Sequence, residues 1–263
     1  MAEQHKSEYE RFDIHQRIQH VMMFSSFILT TFTGLPIKYA YTGWGQSLAA
    51  FWGGGDLLLK IHLTGATVML ASCVYHLFYL VAILANKKTR SWAAVPSPKD
   101  FKDLGDNLRY LLGLNPKQAY WERYTYKEKF DYWAVFWGIF MIGGSGLMMW
   151  FPDVATAFVP RWFIDASRAA HSDEAVLAIV VIFFWHFYNV HFSPTFFPMN
   201  KLWYKGTMHR ELMLHEHPAE LDRIEGRAAQ AKKDAGYRGS TAAVDSSDVI
   251  PGDIPGEKIS HRS

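Results

Sequence analysis

The sequence predicts an all-α membrane protein, a four-transmembrane-helix bundle with an amphipathic cytoplasmic loop helix and a disordered C-terminal tail. Three observations carry that expectation. Four stretches lack any Asp, Glu, Lys or Arg: Ile18 to Ile37, Ile61 to Asn86, Tyr132 to Pro152 and Ala175 to Asn200. Each reaches the roughly 20 apolar residues that a helix needs to cross a bilayer. The second observation is "SPKDFKDLGDNLRYLLGL" in the middle loop, where Phe101, Leu104, Leu108 and Leu111 recur at helical spacing opposite Lys102, Asp103 and Asp106. The third is the segment from Arg227 onward, rich in Ala, Gly, Ser, Asp and Pro, which has too little apolar surface to bury.

The elements follow in order. Residues 1–17 form an N-terminal segment, 18–200 the membrane domain with spans at about 18–37, 61–86, 132–152 and 175–200, residues 201–226 an interfacial segment, and 227–263 the tail. The first stretch is too long for a signal-peptide core, and no small-residue cleavage site follows it, so it reads as retained. The 87–129 connection holds ten Lys and Arg, including Lys87, Lys88, Arg90, Lys127 and Lys129, whereas the loops after the first and third spans hold few. Positive charge marks the cytoplasmic side, which places both termini there.

Composition excludes several classes. The net charge of +2 with 49% hydrophobic residues does not suit a nucleic-acid binder. The single cysteine, Cys73, leaves no disulfide, Cys-rich zinc site or c-type haem attachment sequence within the chain. A metal or haem would have to be held by histidine.

Twelve histidines are present. His62, His76 and His186 fall within the uncharged stretches, His20 lies near the start of the first, and His171 and His191 lie toward the start and end of the fourth helix. Span direction sorts them into two layers: His62 and His171 near the outer side, His20, His76, His186 and His191 near the cytoplasmic side. At 100° and 1.5 Å per residue, His62 and His76 stand about 40° and roughly 21 Å apart, and His171 and His186 about 60° and roughly 22 Å apart, so each pair can face one bundle interior. His191, about 200° from His171, points elsewhere unless the helix is distorted. His5, His15, His209, His215, His217 and His261 read as interfacial or solvated residues.

An ionisable residue in hydrocarbon calls for a named partner. Two stacked layers of imidazole from different helices suit bis-histidine haem b, which takes two axial ligands and buries a large apolar plate. Zinc would want three or four ligands at one level, and the uncharged stretches contain no carboxylate. Gly34, Gly65, Ala66, Gly143, Gly144 and Gly146 would either let such a plate approach the backbone or only let helices pack closely. His76 has the right face to replace His20 or to serve a third haem. A histidine relay in a transporter or proton channel is the rival reading, and it predicts no haem.

Several motifs resemble one family, the membrane cytochrome b (gamma) subunits of bacterial respiratory formate dehydrogenases, with relatives in nickel-iron hydrogenases and thiosulfate reductases. "RIQHVMMFSSFILTTFTGLP" resembles the family's first helix, "LLKIHLTGATVML" its second, "FDYWAVFWGIFMIGGSGLMMWFP" its third and "AAHSDEAVLAIVVIFFWHFYNVHF" its fourth; "YKGTM" and "HEHP" resemble its exit segment. The likeness spans roughly residues 10–225. It implies haem iron ligands His20 rather than His15, His62, His171 and His186. The fourth-helix spacing is one residue longer than the family's fourteen, which would require a local bulge, and His76 and His191 have no family counterpart. "RYTYKEKF" stands where members show a "YNxxQK"-like pattern near the quinone, with Thr125, Lys127 and Glu128 departing and Lys129 matching.

The resemblance implies a bacterial inner-membrane protein with two haem b, a third not being excluded, and a site for menaquinone or ubiquinone near Lys127, Glu128 and Lys129. Its outer haem would lie between His62 and His171 and its inner haem between His20 and His186. It implies membership in a hetero-oligomeric oxidoreductase complex, with a periplasmic iron–sulfur or multihaem c-type cytochrome subunit as partner. Asp13, His15, Arg17, Lys127 and Glu128 are candidates for proton entry, set against a solvated interfacial cluster.

Overall fold

A computed structural model describes residues 7–86 and 92–227. The expected disordered tail, and Lys87, Lys88, Arg90, His5 and His261, lie outside the described residues apart from Arg227. Four long helices dominate: α1 (Ile14–Lys38), α3 (Gly55–Ala85), α5 (Tyr126–Trp150) and α6 (Arg161–Phe192), each long and apolar enough to cross a membrane. Between them stand α2 (Gly43–Phe51) and α4 (Pro98–Leu111), and α7 (Arg210–Glu216) follows.

Local chemistry sets the helix starts. Asp13 caps α1, accepting from the Gln16 backbone N–H while the Gln16 side chain accepts from the Asp13 backbone, and Thr125 and Glu128 form the same reciprocal box at α5. These caps start helices earlier than the uncharged stretches do, because capping residues are polar. The fourth helix differs at both ends. It begins at Arg161, with charged turns ahead of its apolar part, and it stops at Phe192 rather than continuing to Asn200. Ser193 there is extended, as the following Pro194 demands.

The bundle is two helix pairs. α1 packs along α3, and α5 packs along α6, while α1 and α6 touch far less. The seam between the two crowded pairs is loose. Large apolar side chains such as Phe78, Phe140 and Phe184 face outward, being about 70% exposed, as a lipid-facing surface requires.

Both α5 and α6 depart from α-geometry. α5 contains a π segment at Ile139–Gly143, and α6 has two, Val181–His186 and Tyr188–Phe192. Each π turn takes up extra residues and rotates everything beyond it. The local bulge expected from the one-residue-longer spacing in the fourth span is therefore present, ending at His186 itself.

α4 docks with its polar side. Lys129 Nζ lies 2.8 Å from Asp100 Oδ1, and Asn107 donates to the Tyr126 hydroxyl at 3.0 Å. Phe101, Leu104, Leu108 and Leu111 remain exposed. That arrangement suits a helix lying at the lipid interface, apolar face outward.

The best-buried apolar core lies outside the bundle, at the end carrying both described termini. Strand β1 (Glu8–Glu10) pairs antiparallel with β2 (Thr207–His209), and Tyr9, Leu202, Met208, Met213 and Leu221 pack together around them. Gly206 (φ 77°) turns the chain into β2, and its carbonyl accepts from the backbone N–H groups of Arg11 and Phe12. A Cβ there would stand 2.5 Å from the Phe12 carbonyl oxygen, so only glycine fits.

A polar network closes this cap. Arg11, almost fully buried, donates to Glu220 and to the Arg123 carbonyl at 2.5 Å, and Arg123 donates back to the Arg11 carbonyl at 2.7 Å. Glu220 also pairs with Arg123 at 2.6 Å. His217 donates from Nδ1 to the Glu122 carbonyl at 2.8 Å, leaving Nε2 to accept from Arg11 at 3.1 Å. His217 is 3% exposed, which corrects its expected place among the interfacial or solvated histidines. Three segments distant in sequence meet here, and no local pattern marks that.

Burial brings the Arg11 guanidinium down to about 10, still charged at neutral pH, so removing its partner strands a buried cation. Glu220→Ala should destabilise the protein by about 3–5 kcal/mol, the usual effect of breaking a buried pair, read as an earlier thermal unfolding transition in detergent. Burial also holds the His217 imidazole below its ordinary value. The unfolded chain then binds more protons than the folded one once pH falls below about 6.5, and stability drops on acidification. The unfolding midpoint at pH 5 should therefore lie below that at pH 7.5, and His217→Gln should narrow the difference.

Candidate haem sites

The structure brings the intramembrane histidines together in two groups. The distal group, away from the termini, consists of His62 on α3 and His171 on α6. Their ring centroids are 6.3 Å apart with planes at 72°. A metal–imidazole bond is about 2 Å long and a ring nitrogen lies about 1 Å from its ring centre, so two imidazoles on opposite sides of one iron stand with centroids roughly 6 Å apart. The two rings already have that separation, and they come from opposite helix pairs.

The hydrogen bonds settle which nitrogens are available. The Thr33 hydroxyl donates to the Leu29 carbonyl at 2.7 Å, so its oxygen accepts from His62 Nδ1 at 2.9 Å. His171 Nδ1 meets the Ile142 carbonyl at 2.8 Å, and a carbonyl can only accept. Both rings thus carry their proton on Nδ1 and keep the Nε2 lone pair for a ligand, the tautomer an iron needs. Ile142 lies within the α5 π segment, one of the places where a helix carbonyl is freed from the regular ladder.

Two glycines seat these rings. A Cβ at Gly34 would stand 3.2 Å from His62 Cε1, and one at Gly146 would stand 3.1 Å from His171 Cε1. Each is tighter than ordinary van der Waals contact, so a side chain would displace its imidazole. Gly65 instead meets Thr30 and Leu29 across the α1–α3 contact, the helix-packing role. The close-packing explanation thus holds at Gly65, while Gly34 and Gly146 make room for imidazole rings.

The proximal group is larger. His20 on α1 is within electrostatic reach of both His186 and His191 on α6. His186 and His191 have centroids 6.1 Å apart. Five residues apart on a regular helix they would diverge, and the π segments bring them together, so His191 joins the proximal level. The similar spacing does not make them a ligand pair, because a plate held between two residues of one helix would cut that helix's backbone. His20 from α1 with a histidine from α6 has the required opposition. Buried His20 Nδ1 and His191 Nδ1 have no partner among the described residues.

His186 Nδ1 lies 3.1 Å from Asp131 Oδ2. Asp131 precedes the third uncharged stretch by one residue, and the earlier helix start carries it inside α5. A carboxylate therefore reaches the site, where the uncharged stretches alone indicated none.

His76 is placed differently. Its Nδ1 lies 2.8 Å from Gln19 Oε1 and its Nε2 3.1 Å from the Tyr132 hydroxyl, so both ring nitrogens already have partners. Among the candidate quinone contacts, Glu128 caps α5 and Lys129 binds Asp100, while Lys127 is half-buried. Of the proton-entry candidates, Asp13 accepts from Tyr79 at 2.7 Å and His15 Nδ1 meets the Tyr75 hydroxyl at 2.7 Å. Thr33, the Ile142 carbonyl and Asp131 escaped the sequence reading, since a hydroxyl, a carbonyl and a boundary carboxylate carry no periodic signal. Among the described residues, no group of three or more His, Cys, Asp or Glu is arranged to hold a metal ion.

The chain is also similar to known proteins. The chain is 28% identical over 200 residues, covering 75% of it and 81% of the relative, to the formate dehydrogenase cytochrome b556(fdo) subunit of Escherichia coli K12. The same identity and coverage hold for the subunits of that name from Escherichia coli O6:H1 and O157:H7. The family model described as prokaryotic cytochrome b561, a family whose name implies haem b, matches residues 11–198. Four apolar spans and this match, extending over most of the membrane domain, establish that the chain belongs to the prokaryotic cytochrome b561 family of bacterial membrane proteins.

Proposed function

We propose that the chain is a di-haem b electron-transfer subunit linking a periplasmic redox partner to the quinone pool. The observation that carries this reading is the His62–His171 pair, two imidazoles from opposite helix pairs at bis-ligand separation with both Nδ1 protons engaged. His62 and His171 hold the outer haem and His20 and His186 the inner one. When bound, haem b supplies a one-electron iron centre whose potential follows its ligands and surroundings.

The residues themselves orient and insulate. Thr33 and the Ile142 carbonyl hold the outer imidazoles in the ligating tautomer, Gly34 and Gly146 leave room for the rings, and apolar helices exclude water. Lys38, bonded to Ser172 and Asp173 at 2.8 and 2.6 Å, ties α1 to the turn of α6 that carries His171. The excess of Lys and Arg in the 87–129 connection supports an inner-membrane orientation with both termini cytoplasmic.

The quinone end, for menaquinone or ubiquinone, is then the cytoplasmic end near His20 and His186. Glu128 and Lys129 shape that end through helix capping and α4 docking, and Lys127 is the member of the three that remains for direct quinone contact. The formate dehydrogenase subunit relatives support membership in a hetero-oligomeric complex; an iron–sulfur or multihaem c-type cytochrome subunit on the periplasmic side is the partner that an outer haem would serve.

Haem counting tests the reading. Purified protein should show a Soret band, a reduced b-type α band and two haem b per chain. Single substitutions His62→Ala, His171→Ala, His20→Ala and His186→Ala should each remove one haem, whereas His76→Ala should keep both. A preparation from haem-replete membranes with no Soret band would refute the proposal and favour the histidine relay of a proton channel.

A further inference from the structure

The four candidate ligands do not have equivalent partners. His62 donates to a hydroxyl and His171 to a backbone carbonyl, both neutral. His186 faces a carboxylate, with Nδ1 3.1 Å from Asp131 Oδ2 and side-chain exposures of 21% and 15%. Among the described residues Asp131 has no other ion-pair partner, so its charge is directed at this ring. An ionised carboxylate only accepts, which places the proton on His186 Nδ1 and leaves Nε2 free.

We propose that Asp131 is a positioning residue of the inner haem: it fixes the ligating tautomer of His186 and lowers the reduction potential of that haem through the Nδ1–H bond. The proposal rests on His186 being an inner-haem ligand. A carboxylate on the far nitrogen raises the basicity of a metal-bound imidazole and fixes its orientation. The more electron-rich ligand, together with the nearby negative charge, stabilises ferric over ferrous iron. A charge-assisted bond is about twice as strong as a neutral one, and partial shielding from water preserves the effect. The outer haem, with neutral acceptors behind both ligands, lacks this device.

The test is a redox titration of the α band in the purified holo-protein, with the inner-haem signal identified as the one lost in His20→Ala. Asp131→Asn keeps an oxygen acceptor of similar shape and removes the charge. Both haems should be retained, the outer midpoint should stay in place, and at fixed potential the inner haem should show about a tenfold higher reduced-to-oxidised ratio, an upward shift of about 59 mV. Asp131→Glu should restore the wild-type value. Loss of the inner haem in Asp131→Asn with recovery in Asp131→Glu would equally support the role. An unchanged inner midpoint in Asp131→Asn, or failure of Asp131→Glu to restore what Asp131→Asn loses, would overturn it. If His186→Ala retained both haems, the ligand assignment would fail instead, and a preparation without haem b would refute the functional reading itself.

Discussion

An imidazole surrounded by hydrocarbon has two polar nitrogens and no water to satisfy them, and much of this architecture answers that constraint. In the distal layer each Nδ1 has an acceptor supplied by a neighbouring helix: the Thr33 hydroxyl from α1 and the Ile142 carbonyl from α5. With those protons placed, the Nε2 lone pairs of His62 and His171 are left without a protein partner among the described residues, on rings whose centroids stand 6.3 Å apart. Glycines stand beside the rings where a side chain would push them away. The α1–α3 and α5–α6 pairs meet only loosely, and the two distal imidazoles come from opposite sides of that seam.

The π segments belong to this solution. A π turn both frees a carbonyl and shifts the phase of all later residues. In α5 the segment contains the carbonyl that receives His171. In α6 two segments contain His186 and His191 and turn both toward the proximal layer. Helix irregularity, a defect by the standard of backbone hydrogen bonding, is here the means of aiming side chains.

At the terminal end the organising feature is Arg11. It is buried deep enough that its charge must be answered within the protein, and the answers come from Glu220, the Arg123 carbonyl and His217, on segments far away in the sequence. This network, with the β1–β2 ladder and the small apolar core beside it, fastens the chain's entry into α1 to its exit from α6. The cap thereby closes the terminal end of the bundle, and α4 lies beside it with its apolar face exposed.

Much of the fold was legible without coordinates, because membrane insertion depends on local composition. Uncharged stretches of span length located α1, α3, α5 and α6, span direction put the histidines into two layers, and helical periodicity put the candidate pairs on one face. The boundaries were not legible, since caps such as Asp13 and Thr125 are polar and lie outside the stretches. His217 was misread as solvated because burial by distant segments leaves no trace in its neighbours. Asp131 was passed over because it stood one residue outside an uncharged run. His191 could be placed only conditionally, its direction depending on a helix distortion that no residue type announces. Sequence alone therefore determined the all-helical membrane class and the two levels of imidazole, properties that follow from hydropathy and span direction, while the named candidate ligands came from the resemblance of the helix motifs to a known family. Tertiary structure alone decided which nitrogen each imidazole offers, which acceptor holds it and which histidines meet, because those depend on single atoms from different helices converging within hydrogen-bond distance.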